Sequence, residues 1–284
     1  MSVIEHLPER IDRLILSGGE PLAEKKLLYS ILDRLRERYG DSGTQIMLQT
    51  NGDLLTGEIL DTLIDKGVSR FDIASIDRYH KLSGARLMDL AVLFDSRGVN
   101  GDDKDPLVEK ETYLVRDHAL SWGYWGATED MWLGGNWARG RAMEKGIWKR
   151  DPHHNFCKIL SGGIGFLTGA EGIPQEVSIQ LWRINPCCPG TYKAMGDARH
   201  ERVADVLARV AQSPVFQSIN AGDPLGMGES VGISRDFAEE RTADLQNVCL
   251  WCDEFFRDYF DMDTLTTKFQ EQGLVTGDLS HGGI

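Results

Sequence analysis

The chain has 284 residues, with 31 Lys plus Arg against 44 Asp plus Glu and a formal charge of −13. Its 41% hydrophobic and 26% charged content excludes wholesale disorder, and the acid excess argues against a duplex-DNA binder, which needs basic stripes to displace counterions. No apolar run reaches the ~20 residues of a membrane helix and the first residues lack a signal-peptide core, so a soluble, cytoplasmic protein without nucleic-acid or membrane partners is expected.

In chain order, Arg13 to Ser17 (RLILS) reads as a strand stopped by Gly18-Gly19. Pro21 to Tyr39 reads as a helix with Leu27, Leu28, Ile31, Leu32 and Leu35 on one face, and Gly40 at its end. A second strand follows at Gln45 to Gln49, then a helix near Thr56 to Lys66 with Thr56 as N-cap. Arg70 to Ile76 is a third strand, Gly84 to Ser96 a further helix, and Lys110 to Arg116 a fourth strand. Strands separated by about thirty residues with helices between them predict βαβ units and a parallel sheet. The segment from Trp122 to Trp148 is rich in Gly and Trp and yields no assignment. Beyond it, Glu176 to Ile184 reads as a strand, and His200 to Ala211 and Ser234 to Asn247 as helices. Thr276 to Ile284 reads as a Gly-rich, frayed tail.

The first strand runs into Gly18-Gly19-Glu20-Pro21, the second into Thr50-Asn51-Gly52, and the third ends in Ser75-Ile76-Asp77. Paired glycines at a strand's C-terminal end let a ligand approach the backbone, and that end is where α/β folds bind ligands. A tight strand-to-helix turn would need the same glycines. All five cysteines lie in the second half: Cys157, Cys187, Cys188, Cys249 and Cys252. Clustered cysteines in a reducing compartment point to metal ligands, although free cysteines are also common small core residues. One of Cys187 and Cys188 is expected to be such a core residue.

Taken with Gly140-Arg141-Ala142, the GGEP, TNG and SxD strand ends resemble the radical S-adenosylmethionine (radical SAM) family, roughly over Ile11 to Ala142. The resemblance implies an α/β fold: an incomplete parallel (βα)6 partial TIM barrel over residues 1–150. A small cysteine-bearing α/β module over 151–262 and a C-terminal tail over 263–284 follow it. It further implies S-adenosylmethionine bound by Gly18, Gly19, Glu20, Pro21, Thr50, Asn51, Ser75 and Asp77. Some family members carry a SPASM or twitch module whose auxiliary [4Fe-4S] cluster is held by a cysteine before a hairpin, one after it, and a later CxxC. By that order the ligands here are Cys157, Cys187, Cys249 and Cys252, one thiolate per iron. A four-cysteine zinc site is the alternative. Implied partners are a small-molecule or peptide substrate and a reductant such as flavodoxin or ferredoxin.

The family's CxxxCxxC loop, which binds the catalytic cluster, occurs nowhere in this chain, and no cysteine precedes Cys157. The expectation is a radical SAM enzyme from which the first strand and cluster loop are missing. The alternative is a non-catalytic iron-sulfur or zinc scaffold or partner subunit of the same fold. As given, the chain is expected to bind the cofactor weakly and to expose the Arg13 to Ser17 strand as a sheet edge.

Overall fold

The strand–helix rhythm is realised between Pro8 and Asn136. A computed structural model describes residues 2–74, 84–101, 120–126, 133–159, 165–167 and 175–262. After one helical turn, α1 (Ser2–Glu5), the chain runs through β1 (Arg13–Leu16), α2 (Lys25–Tyr39), β2 (Gln45–Thr50), α3 (Gly57–Asp65), β3 (Val68–Ala74) and α4 (Gly84–Asp95). Two further strands, β4 (Asn100–Gly101) and β5 (Ser121–Trp125), complete the sheet. Its order is β1-β2-β3-β5-β4, and every pair is parallel. The class is α/β with a central parallel sheet, as the spacing predicts. Among the described residues β1 lies at one edge of that sheet.

The two faces of this sheet differ in chemistry. Leu48, Phe71 and Trp122 stand in register across β2, β3 and β5. Phe94 of α4 packs on them, 5.5 Å from the Phe71 ring and stacked at 4.8 Å on Trp122. The alternate positions carry the polar residues: Arg13 and Gln45 pair in register and share a hydrogen bond of 2.9 Å, and Arg70, Asp72 and Ser121 lie on the same face of β3 and β5, with the buried Met47 opposite Arg70 on β2. Arg70 donates from Nε to Asp72 Oδ1 at 2.8 Å and from Nη1 to Ser121 Oγ at 3.3 Å, with both charged side chains buried. The helical faces are narrower than their sequence suggests. Leu28, Leu32, Leu35 and Tyr39 form the buried stripe of α2, and Leu27 is 60% exposed. Leu27 and Leu28 are adjacent, so one turn of ~100° separates them and only one faces the sheet. The first turn, Pro21–Glu24, is a 3-10 helix rather than part of α2.

The expected strand from Lys110 to Arg116 lies outside the described residues, as do Ser75, Ile76 and Asp77. The strand next to β3 is β5, in the Trp-rich segment that sequence patterning leaves unassigned.

The second compact unit comprises Met1–Leu7 and Trp137–Ile284. Its elements are α5 (Gly140–Glu144), α6 (Phe156–Ile159), β6 (Ser178–Gln180), β7 (Arg183–Asn185), β8 (Gly196–Asp197), α7 (Val203–Val210), α8 (Pro214–Asn220), α9 (Arg235–Leu245) and α10 (Val248–Asp258). The single strand expected from Glu176 to Ile184 is instead the hairpin β6–β7, closed by Leu181-Trp182. Both turn residues adopt left-handed backbone, at φ 45 and φ 63. Two-residue hairpins usually advertise that geometry with Asn-Gly, which is absent here. The helices enclose an aromatic core of Phe166, Phe216, Trp251, Phe255, Phe256 and Phe260. Val203, Val206 and Val210 supply the buried stripe of α7, and Ser234 caps α9 by accepting from Phe237 N at 3.2 Å. Among the described residues no helix is long and apolar enough to cross a membrane.

Candidate functional site

At the C-terminal edge of the parallel sheet, one carboxylate joins two strand ends. Glu20 Oε1 accepts from Leu22 N at 3.0 Å and from Thr50 Oγ1 at 2.7 Å, and Oε2 accepts from Asn51 N at 2.9 Å. Glu20 thus caps the 3-10 turn that follows β1 and holds the turn that follows β2. Thr50 Oγ1 in turn accepts from Gly52 N at 3.2 Å. Arg86, in the first turn of α4, donates to the Gly52 carbonyl and to Leu55 O. Gly52 has φ +76, a backbone that side chains rarely adopt, and a Cβ there would come within 2.9 Å of Leu90 Cδ1, so a larger residue would be strained. Gly18 has φ +120, yet a Cβ on it or on Gly19 would meet no atom within 4 Å. The backbone of Gly18-Gly19 therefore faces open space at a firmly fixed edge.

These contacts divide the residues singled out by sequence. Glu20 and Thr50 spend their oxygens on one another and on neighbouring backbone, so they shape the edge rather than reach from it. Asn51 Oδ1 accepts from Asp53 N at 2.9 Å, and among the described residues its side-chain nitrogen donates to nothing. Pro21 opens the 3-10 turn. Replacing Glu20 with alanine is expected to cost about 2–3 kcal/mol, because a charged acceptor with three donors is lost. Glu20→Gln should cost less, since an amide oxygen still satisfies one turn. Denaturant unfolding of both variants checks the order.

The second constellation is a shell of thiols within the second unit. No cysteine is in a disulfide. The Cys157 thiol is pushed well up by burial and then by Cys249 and Cys187. Cys252 is raised by burial and then by Cys157, Cys187 and Cys249, while Cys249, again mainly through burial and then Cys187, is pushed up to about 12. Each of the four thus lies within electrostatic reach of the other three. Cys188 is raised by burial and then by Glu176 and Cys187, and none of the other three acts on it. Among the described residues no group of three or more His, Cys, Asp or Glu side chains is close enough to hold a metal ion as it stands.

Asparagines position two of the cysteine-bearing segments. Asn155 Oδ1 accepts from Cys157 N at 3.0 Å, and Asn247 Oδ1 accepts from Cys249 N at 2.9 Å. Both asparagines use the other end of the amide to anchor their turn, on Gly222 O and Lys149 O respectively, each at 2.9 Å. Asn-x-Cys is written at 155, 185 and 247, a local signal that sequence reasoning passed over. It also missed Arg139. This guanidinium donates to Pro189 O and Gly190 O at 3.1 Å each and to Asp253 Oδ1 at 2.9 Å. Gly190 N donates back to Cys187 O at 3.0 Å, and Asp253 follows Cys252, so Arg139 clamps the Cys187 turn against α10. Burial pushes Cys187 up to about 11, against the opposing pull of the Gly190 hydrogen bond and the Arg139 charge.

The raised thiols imply a pH dependence for the metal-free chain. Folded, Cys187 and Cys249 hold their protons up to about 11 and about 12, against an ordinary value of 9.0. The unfolded chain therefore loses these protons first, so their contribution to stability is complete below about pH 9 and falls as pH rises toward 11–12. Denaturant midpoints between pH 7 and 10.5 should decline, with a shallower decline in the Cys187→Ala/Cys249→Ala variant. Identical slopes would show that these thiols are not held neutral by the fold.

No protein-family model matches the chain. A stretch of 65 residues is 48% identical to an AdoMet-dependent heme synthase of Methanosarcina barkeri (strain Fusaro / DSM 804), covering 22% of this chain and 17% of that protein. Among solved structures, the crystal structure of selenomethionine BtrN in an open conformation aligns with a TM-score of 0.40 and 13% identity, over 80% of this chain and 73% of that one. The similarity to the heme synthase is thus local, and it spans less than a fifth of that protein's length.

Proposed function

We propose that this chain is a radical SAM enzyme, or an N-terminally truncated form of one, acting on a small molecule or peptide in the cytoplasm. In this reading the parallel sheet is a partial (βα)6 barrel that carries S-adenosylmethionine. The cysteine-bearing module holds an auxiliary [4Fe-4S] cluster, and flavodoxin or ferredoxin supplies electrons. The observation that carries the proposal is the Glu20 carboxylate, which locks the GGEP and TNG turns together beside the open Gly18-Gly19 backbone. The local identity to an AdoMet-dependent protein supports it.

The chain's own residues have separable tasks. The Gly18-Gly19 backbone takes the methionine end of the cofactor, and the Asn51 side-chain nitrogen is the donor left over for its ribose or carboxylate. Ser75 and Asp77 are proposed to complete that site from the third strand. Four free thiols held neutral mainly by desolvation suit a polynuclear iron centre, because cationic metal would favour their ionisation. In such enzymes a reduced catalytic cluster supplies the electron that splits the sulfonium. The residues here do not fit that cluster, since no cysteine precedes Cys157, and no cleavage step is assigned to them.

Anaerobic reconstitution with iron and sulfide tests the metal centre. About four irons per chain are expected, lost in Cys157→Ala/Cys252→Ala and retained in Cys188→Ala. One zinc per chain and no iron would overturn the cluster in favour of the zinc-scaffold reading. Equilibrium dialysis with S-adenosylmethionine tests the sheet edge: Gly19→Val should weaken binding at least tenfold. Unchanged binding would remove the cofactor from this edge.

A further inference from the structure

The second unit contains a cavity of ≈ 560 Å³ whose wall includes Arg139, Gln180, Arg183, Gly190, Tyr192 and Asp253. That volume is in the range of small-molecule sites. Its charges do not cancel. Arg139 is committed to Asp253; Arg257 and Arg183 act on that carboxylate only at longer range, and Arg257 is itself paired with Asp258 at 2.7 Å. Arg183 is left over. Its Nη2 is fixed on the carbonyls of Tyr192, at 2.6 Å, and Thr191, at 3.5 Å. Among the described residues its Nε and Nη1 have no hydrogen bond, and no carboxylate lies within ion-pair distance. An oriented guanidinium in a concave wall, without an ion-pair contact among the described residues, stands out on a chain with a net charge of −13.

Gln180 stands directly across the hairpin from Arg183. Side chains of such a cross-strand pair start about 5 Å apart on the same face. The Gln180 side-chain nitrogen is used on Ser178 Oγ at 3.1 Å and on the Cys188 carbonyl, which turns the amide and leaves Oε1 as a free acceptor. The cavity therefore offers donors on a cation beside a neutral acceptor.

From this pairing we infer that the cavity binds an N-acyl amino acid or a peptide C-terminus, with its carboxylate on Arg183 and its adjacent amide N–H on Gln180 Oε1. The guanidinium contributes charge-assisted hydrogen bonds. The glutamine contributes discrimination, because a bound ligand without the N–H would cover Gln180 Oε1 without satisfying it. The site is independent of iron and of the cofactor reading, although Arg139 and Asp253 set it beside the thiol shell.

The test titrates the metal-free chain with N-acetylglycine by ligand-observed NMR at low ionic strength. Saturable binding is expected, at least tenfold weaker for N-acetylglycinamide, which lacks the charge, and for acetate, which lacks the N–H. Arg183→Gln should reduce affinity at least tenfold and Arg183→Lys less. Arg34→Gln, at an exposed ion pair in the other unit, should change nothing. Gln180→Glu, which places a carboxylate against the ligand's own, should abolish binding while leaving the hairpin backbone intact. Absence of saturable binding, equal binding of the amide, or an unaltered Arg183→Gln variant would each overturn the assignment. None of these outcomes bears on iron content or S-adenosylmethionine affinity, so the two readings fail separately.

Discussion

Replacing Asp72 with alanine is expected to destabilise the Pro8–Asn136 unit by about 3–5 kcal/mol, the cost of removing one partner from a buried ion pair. Both side chains of the Arg70–Asp72 pair are only 2% exposed, so water cannot take over the role of the lost carboxylate. Arg70 also donates to Ser121 Oγ at 3.3 Å, a neutral hydrogen bond that cannot replace the charge of the carboxylate. A double variant, Arg70→Met/Asp72→Leu, removes both charges at similar volume and should recover most of the loss. Guanidinium unfolding of the three proteins checks the sequence of midpoints. If the double variant were as unstable as Asp72→Ala, packing rather than charge would account for the effect.

Trp251→Ala is expected to cost a comparable ~3–5 kcal/mol, as deletion of a large aromatic from a closed core does. The indole is fully buried among Phe237, Phe255 and Tyr259, with ring centroids 5.8–6.2 Å away, and its Nε1 donates to Pro224 O at 3.1 Å. It lies between Cys249 and Cys252 on α10, so the same cavity loosens the two thiols that depend on this helix. Trp251→Phe keeps part of the volume and loses the hydrogen bond, and should fall between wild type and alanine. Thermal melts give the stability order, and iron retention after reconstitution should follow it.

The fold was legible where one periodicity governed a segment. Strands β1, β2 and β3, with the helices between them, followed from short apolar runs ended by glycine and from leucines at helical spacing. The row of Arg70 and Asp72 was not legible, because RFDIA alternates like a strand with one wet face. Here the polar face is buried too, and only the tertiary structure reveals it. The hairpin turn was missed because Leu181 and Trp182 adopt a backbone that neither residue signals. At the strand ends, Gly18, Glu20 and Asn51 were identifiable from composition at a strand terminus. The division between residues that hold the edge and residues that face outward requires hydrogen-bond geometry. The cysteines could be ordered from sequence, whereas Arg139 reaches the Cys187 turn from about fifty residues upstream, a distance no local pattern spans.

The thiol shell gathers its members from segments about thirty and about sixty residues apart along the chain. An unfolded chain cannot present them together without surrendering the entropy of closing those loops. Any ion or cluster that prefers the gathered thiols is therefore linked to folding. Its binding free energy adds to the stability of this unit and is withdrawn when the metal is stripped. With the proposed cluster as occupant, iron supply would set how much of the folded module persists, as well as how much of it is loaded.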